Sequence, residues 1–269
     1  MRYIIYLSLL ILVACEKVPS DKKVLTVTIE PYRFVVEAVA GDEWQVNSLL
    51  PKGSNPETAD LSPRAMASLQ DSKVFFLVGG LGFEREWVSR IAETYPSLQL
   101  VDTSSGIERE FSDPHLWTSP DNMMQIARNV CNSLCEFDTI NTAGYKARLS
   151  KVLQLFSSVD SAIYAKLADS NAKGFVIFHP SLTYFANRYG LKQLAVECDG
   201  KEPSATHIRS IIDEARCIGV KHVFLQQEFH KHQTEVLAAE LNAEIVNINP
   251  LSYEWQNEML HIADCLNND

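Results

Sequence analysis

The chain has 269 residues, 46% of them hydrophobic, enough for one large domain or two lobes with a sizeable core. Its 24 Lys and Arg against 34 Asp and Glu leave a net charge of −10. That balance argues against a nucleic-acid surface, which needs clustered basic residues, and is compatible with attracting cations.

Arg2 is followed by an apolar stretch, residues 3–13, that closes as Leu12-Val13-Ala14-Cys15. It is too short for a membrane-spanning helix, which takes about 20 residues, and fits the apolar core of a secretory signal. The Leu-Val-Ala-Cys ending resembles the bacterial lipobox. Residues 1–15 are therefore expected to be a lipoprotein signal, with Cys15 the lipidated first residue of the mature chain. An ordinary signal peptide or a buried strand, with Cys15 incidental, is the bland alternative. Residues 16–23, rich in charge, read as a tether.

Residues 24–29 alternate and are β-branched, as in a strand. Helix 31–40, strand 45–50 and a polar loop 54–61 follow. Ser62-Pro63 supplies a cap and a first-turn proline for helix 64–70. Strand 74–78, a glycine turn, helix 84–95 and strand 98–101 complete an N-terminal lobe, 24–140. Cys131 and Cys135 stand one helical turn apart on an apolar face and read as buried thiols. Residues 141–169 have no Pro, and Val152, Phe156, Val159 and Ile163 recur at helical period. They predict one long helix, placed at 141–170 as a spine between lobes. The strand–helix pattern resumes in a C-terminal lobe, 171–269: strand 175–178, helix 183–189, strand 194–197, helix 204–217, strand 220–225, helix 232–241 and strand 244–248. The fold class is α/β, with two β-α lobes, each a mainly parallel sheet flanked by helices, joined by the spine helix.

Four polar segments fall at predicted strand ends, where open α/β sheets bind ligands. They are Gly53-Ser-Asn-Pro-Glu57 through Pro63, Asp113-Pro114-His115-Leu116-Trp117, Phe178-His179-Pro180, and Asn247-Ile-Asn249-Pro250-Leu251. On these motifs, with Tyr184-Phe185, Tyr189-Gly190-Leu191 and Glu202-Pro203-Ser204, the chain resembles the metal-specific solute-binding proteins of zinc and manganese ABC importers, a group that includes bacterial adhesin lipoproteins. The resemblance covers nearly the whole mature chain. It implies a metal held between the lobes by ligands from four loops. His115 and His179 match two family histidines. Where the family usually has its first His, this chain has Glu57. Where the family has Asp in Asp-Pro-Leu, it has Asn249, a weaker neutral donor. Glu228 in Gln226-Gln227-Glu228 is the obvious substitute. The expected shell is Glu57, His115, His179 and either Glu228 or Asn249.

Imidazole with carboxylate suits zinc, manganese and iron. Two His with one or two Glu would leave a divalent ion at net charge +1 or 0, which a dry cleft tolerates. Zinc is the first choice, with manganese or iron next. The resemblance also implies delivery to an ABC permease, an extracytoplasmic location and a membrane link through the N-terminal anchor. The chain is expected to act as a monomer, and no nucleic-acid partner is expected. Residues 104–112 hold no His, so no His-rich metal-scavenging loop precedes the Asp-Pro-His motif. Glu57 as a solvated loop charge and Glu228 paired with Lys231 are the bland readings. His230 and His232 read as a solvated turn, and His207, His222 and His261 as surface residues without a role. Alternatives to metal capture are a degenerate member with another ligand or an adhesive role, and a zinc hydrolase. The hydrolase finds no support: neither His-Glu-x-x-His nor Gly-x-Ser-x-Gly occurs.

Overall fold

The computed structural model describes residues 23–109, 113–197, 203–228 and 231–267. Cys15, the tether before Lys23, Cys198, Glu202 and His230 lie outside the described residues.

The N-terminal half contains β1 (Lys23–Val27), α1 (Glu30–Ala40), β2 (Trp44–Ser48), α2 (Pro63–Ser68), β3 (Ser72–Leu77), α3 (Gly82–Thr94) and β4 (Gln99–Asp102). Lys23, counted with the tether in the sequence, is already the first residue of β1. It pairs with Trp44 in the sheet and lies over that indole. Next come α4 (Pro120–Phe137) and the long α5 (Thr142–Leu167). The C-terminal half contains β5 (Gly174–Ile177), α6 (Thr183–Arg188), β6 (Lys192–Ala195), α7 (Ala205–Ile218), β7 (His222–Gln226), α8 (Lys231–Leu241), β8 (Glu244–Ile248) and α9 (Trp255–Asn267).

The two sheets repeat one topology, β2-β1-β3-β4 and β6-β5-β7-β8, and every pairing is parallel. Parallel strands need crossovers, and the intervening helices supply them. Their ends are encoded locally. The Ser62 side chain accepts from Ala65 N–H at 3.2 Å to start α2, and Ser204 does the same for His207 N–H at α7. Gly219, at φ +74°, ends α7 in the left-handed conformation that favours glycine.

At 26 residues, α5 is about 39 Å long. Tyr145, Val152, Phe156, Val159 and Ile163 form its buried stripe. It packs against α1, α4 and α9. Two of these partners escaped the sequence reading. Only the one-turn spacing of Cys131 and Cys135 points to α4, where their sulfurs lie 3.9 Å apart. Cys131 is buried and Cys135 partly so. α9 leaves the C-terminal sheet and returns to the spine, where the Trp255 ring meets Phe156 edge-on with centroids 5.0 Å apart. Trp117 and Trp255 tie the halves together. Trp117 Nε1 donates to Pro250 O at 2.8 Å, and Trp255 Nε1 donates to Trp117 O at 2.6 Å.

Candidate metal centre

All five expected site residues follow the C-terminal ends of parallel strands: Glu57 after β2, His115 after β4, His179 after β5, Glu228 after β7 and Asn249 after β8. The loops of both sheets converge between the halves.

His115 is buried. Its backbone N–H donates to Asp113 Oδ1 at 2.8 Å, and its ring Nδ1 lies 2.6 Å from the same oxygen. Tyr184, from the other half, donates to Asp113 O at 2.8 Å. Burial pushes the Asp113 carboxyl up, but the side-chain hydrogen bond and charge of His115, the Thr183 hydroxyl and the His115 backbone N–H together hold the group below its ordinary value. His179 is held in a similar way. Its Nδ1 lies 3.1 Å from Glu197 Oε2, and its backbone N–H donates to Gln226 Oε1 at 3.2 Å.

A carboxylate on Nδ1 selects the tautomer with its proton there and leaves a lone pair on Nε2. The two Nε2 atoms face each other at 3.2 Å, with the rings edge to face. Two lone pairs at that distance repel unless a cation or proton lies between them.

A cavity of about 20 Å³ adjoins the pair, room for one water-sized occupant. Glu57 lines it from the N-terminal half, and Gln226 and Glu228 from the C-terminal half. Glu57 is no solvated loop charge. Its Oε2 accepts from Gly82 N–H at 3.0 Å, and its Oε1 is buried without a hydrogen-bond partner. Glu228 Oε1 is likewise buried and unpartnered. Burial raises the Glu228 carboxyl, with its own backbone N–H and the His179 charge acting in the opposite direction.

Asn249 Oδ1 is also buried without a hydrogen-bond partner, but at a different cavity. It lines a neighbouring cavity of about 280 Å³ with Glu30, Lys52, Gln227 and Tyr253. Its backbone N–H donates to Glu258 Oε1 at 2.6 Å. Among the described residues, no three His, Cys, Asp or Glu side chains are gathered tightly enough to hold one ion. The histidine pair is assembled, and Glu57 and Glu228 line its cavity without closing on it.

Asp113 and Glu197, the two carboxylates that aim the histidines, have no role evident from sequence alone. Asp113 was visible only as part of its motif. Glu197 carries no local signal, but strand register reveals it: β5 pairs with β6 as Ile177↔Ala195, and extending that by two residues sets His179 beside Glu197. His222, read as a surface residue, is buried because β7 is an interior strand. His207 Nε2 lies 3.2 Å from Ala195 O and His261 Nε2 3.2 Å from Asn247 O.

The profile of the family described as zinc-uptake complex component A, periplasmic, matches residues 25–265. A putative metal-binding protein of Chlamydia trachomatis serovar D is 24% identical over 260 residues, covering 93% of this chain and 92% of that one. The zinc-binding lipoprotein AdcA of Streptococcus pneumoniae is 24% identical over 272 residues; the match covers 90% of this chain but 53% of AdcA, about half of that relative. The crystal structure of ZnuA superposes with a TM-score of 0.88 at 30% identity, over 92% of this chain and 99% of that one. The chain belongs to the periplasmic zinc-uptake component A family, whose members are solute-binding proteins and not enzymes.

Proposed function

We propose that this protein captures zinc, with manganese or iron as second choices, and hands it to an ABC import permease. One observation carries the reading: the facing Nε2 atoms of His115 and His179, 3.2 Å apart. Two nitrogens each about 2.05 Å from one tetrahedral ion stand about 3.3 Å apart. The pair therefore already has the spacing of two ligands to a shared ion. Glu57 and Glu228, each with a buried unpartnered oxygen beside the same cavity, are the proposed remaining ligands. Two imidazoles and two carboxylates neutralise a divalent ion, which offsets the cost of burying it. Because the carboxylates come from opposite halves, a bound ion would fix the relative position of the two lobes. That fixed form is what a permease would recognise.

The relative AdcA is described as a zinc-binding lipoprotein. A lipid anchor at Cys15 is part of the proposal, and it places the monomeric protein on the outer side of a membrane. Labelling with a radioactive fatty acid, present in the wild type and lost in Cys15→Ser, would establish it.

Calorimetric titration of the metal-stripped protein with zinc and manganese tests the capture itself. A dissociation constant below about 1 μM for zinc is expected. Constants weaker than about 10 μM for both metals would sink the proposal.

A further inference from the structure

Glu57 occupies the position of the family's usual first histidine, and it is held unusually. Its Oε2 accepts from Gly82 N–H at 3.0 Å. Gly82 opens α3, a 13-residue helix, so this oxygen also meets the positive end of the helix. Arg85 Nη2 lies 3.5 Å from the same oxygen, while Arg85 Nη1 donates to Gly80 O. Phe83 N–H donates to Pro56 O at 3.0 Å and pins the loop just before Glu57. Only glycine permits this approach: a Cβ on Gly82 would stand 2.1 Å from Glu57 O and 2.9 Å from Oε2. One carboxylate oxygen is thus committed to the helix end. The other is buried and unpartnered beside the histidine pair's cavity.

We infer that Gly82 and Arg85 are positioning residues that hold Glu57 as a one-oxygen ligand and so bias the site toward four-coordinate zinc over six-coordinate manganese. The inference rests on the proposal that Glu57 is a ligand. A carboxylate can grip an ion with both oxygens only if both are free. Here two-oxygen binding must break the Gly82 hydrogen bond and move Oε2 from the Arg85 cation. Zinc is satisfied by four donors, one oxygen from each carboxylate. Manganese groups with the hard ions that seek about six, mostly oxygen, donors. The cradle therefore penalises manganese. Repulsion between Arg85 and a bound ion falls equally on two ions of the same charge, so it leaves the ratio of affinities alone.

The test compares full-length wild type, Arg85→Met, Gly82→Ala and Glu57→Gln, all stripped of metal. Zinc and manganese affinities are read by calorimetry. Coordination number is read from the visible absorption of added cobalt, which is intense in four-coordinate sites and weak in six-coordinate ones. The zinc-to-manganese affinity ratio should fall about threefold in Arg85→Met and further in Gly82→Ala, and cobalt absorption should weaken with it. Parallel changes in both affinities, or an unchanged cobalt spectrum in both variants, would overturn the inference. Should Gly82→Ala fail to fold by circular dichroism, Arg85→Met decides alone, since that side chain is 63% exposed. Glu57→Gln separates the two levels. Unchanged binding of both metals would remove Glu57 from the ligand set. Weakened binding there, with an unmoved ratio in the other two variants, sinks only the cradle.

Discussion

Replacing Asp113 with Asn probes the orientation of His115. The substitution preserves shape and removes the charge that faces Nδ1. Removing a partner of this kind typically weakens metal binding 10- to 100-fold. The contact with His115 is short, 2.6 Å, and the Asp113 side chain is only 13% exposed. Burial raises that carboxyl, yet its hydrogen bonds and the His115 charge leave it below its ordinary value. These features place Asp113→Asn near the upper limit, about 100-fold or ~2.7 kcal/mol. Glu197→Gln acts on the longer 3.1 Å contact to His179 and should cost about tenfold, ~1.4 kcal/mol. Competition with a zinc-chelating dye at pH 7 measures both, with circular dichroism to check the fold. If Asp113→Asn binds zinc within about threefold of wild type, the carboxylate does not tune the ligand. A larger loss in Glu197→Gln than in Asp113→Asn would contradict the ranking by distance.

Other outcomes follow from the same geometry. Glu228→Gln should weaken zinc binding at least about tenfold while Asn249→Ala changes it less than about threefold; the opposite pattern would return Asn249 to the site. Zinc at about 100 times its dissociation constant should stabilise the wild type by about 2.7 kcal/mol and raise the melting temperature by about 5–10 °C. A shift that persists in the His115→Ala, His179→Ala double variant would place the ion elsewhere. Trp255→Ala should cost about 3–5 kcal/mol in urea unfolding, because the fully buried indole packs on Phe156 and donates to Trp117 O. A loss below about 1 kcal/mol would show that α9 is dispensable to the spine.

The strands and most helices were legible because their signals are local. Ser62-Pro63 starts a helix through its own side chain, and the stripe from Val152 to Ile163 shows its period directly. α9 was not legible in that way. It begins straight after the Asn-Pro-Leu segment, and its buried face, Trp255, Met259, Ile262 and Leu266, acquires meaning only against α5.

For the candidate site, the sequence by itself singled out the two histidines through their motifs, because residue type and position at a strand end are local features. Three matters were left to the tertiary structure. The register of β5 on β6 put Glu197 behind His179. Convergence of the loops left Glu228 beside the histidine cavity and turned Asn249 toward another. The close approach of the Glu57 loop to Gly82 tied one oxygen of Glu57 and left the other free. Each depends on distances between segments far apart in the chain, set by how the two sheets and the spine pack. Composition and local spacing carry no record of those distances.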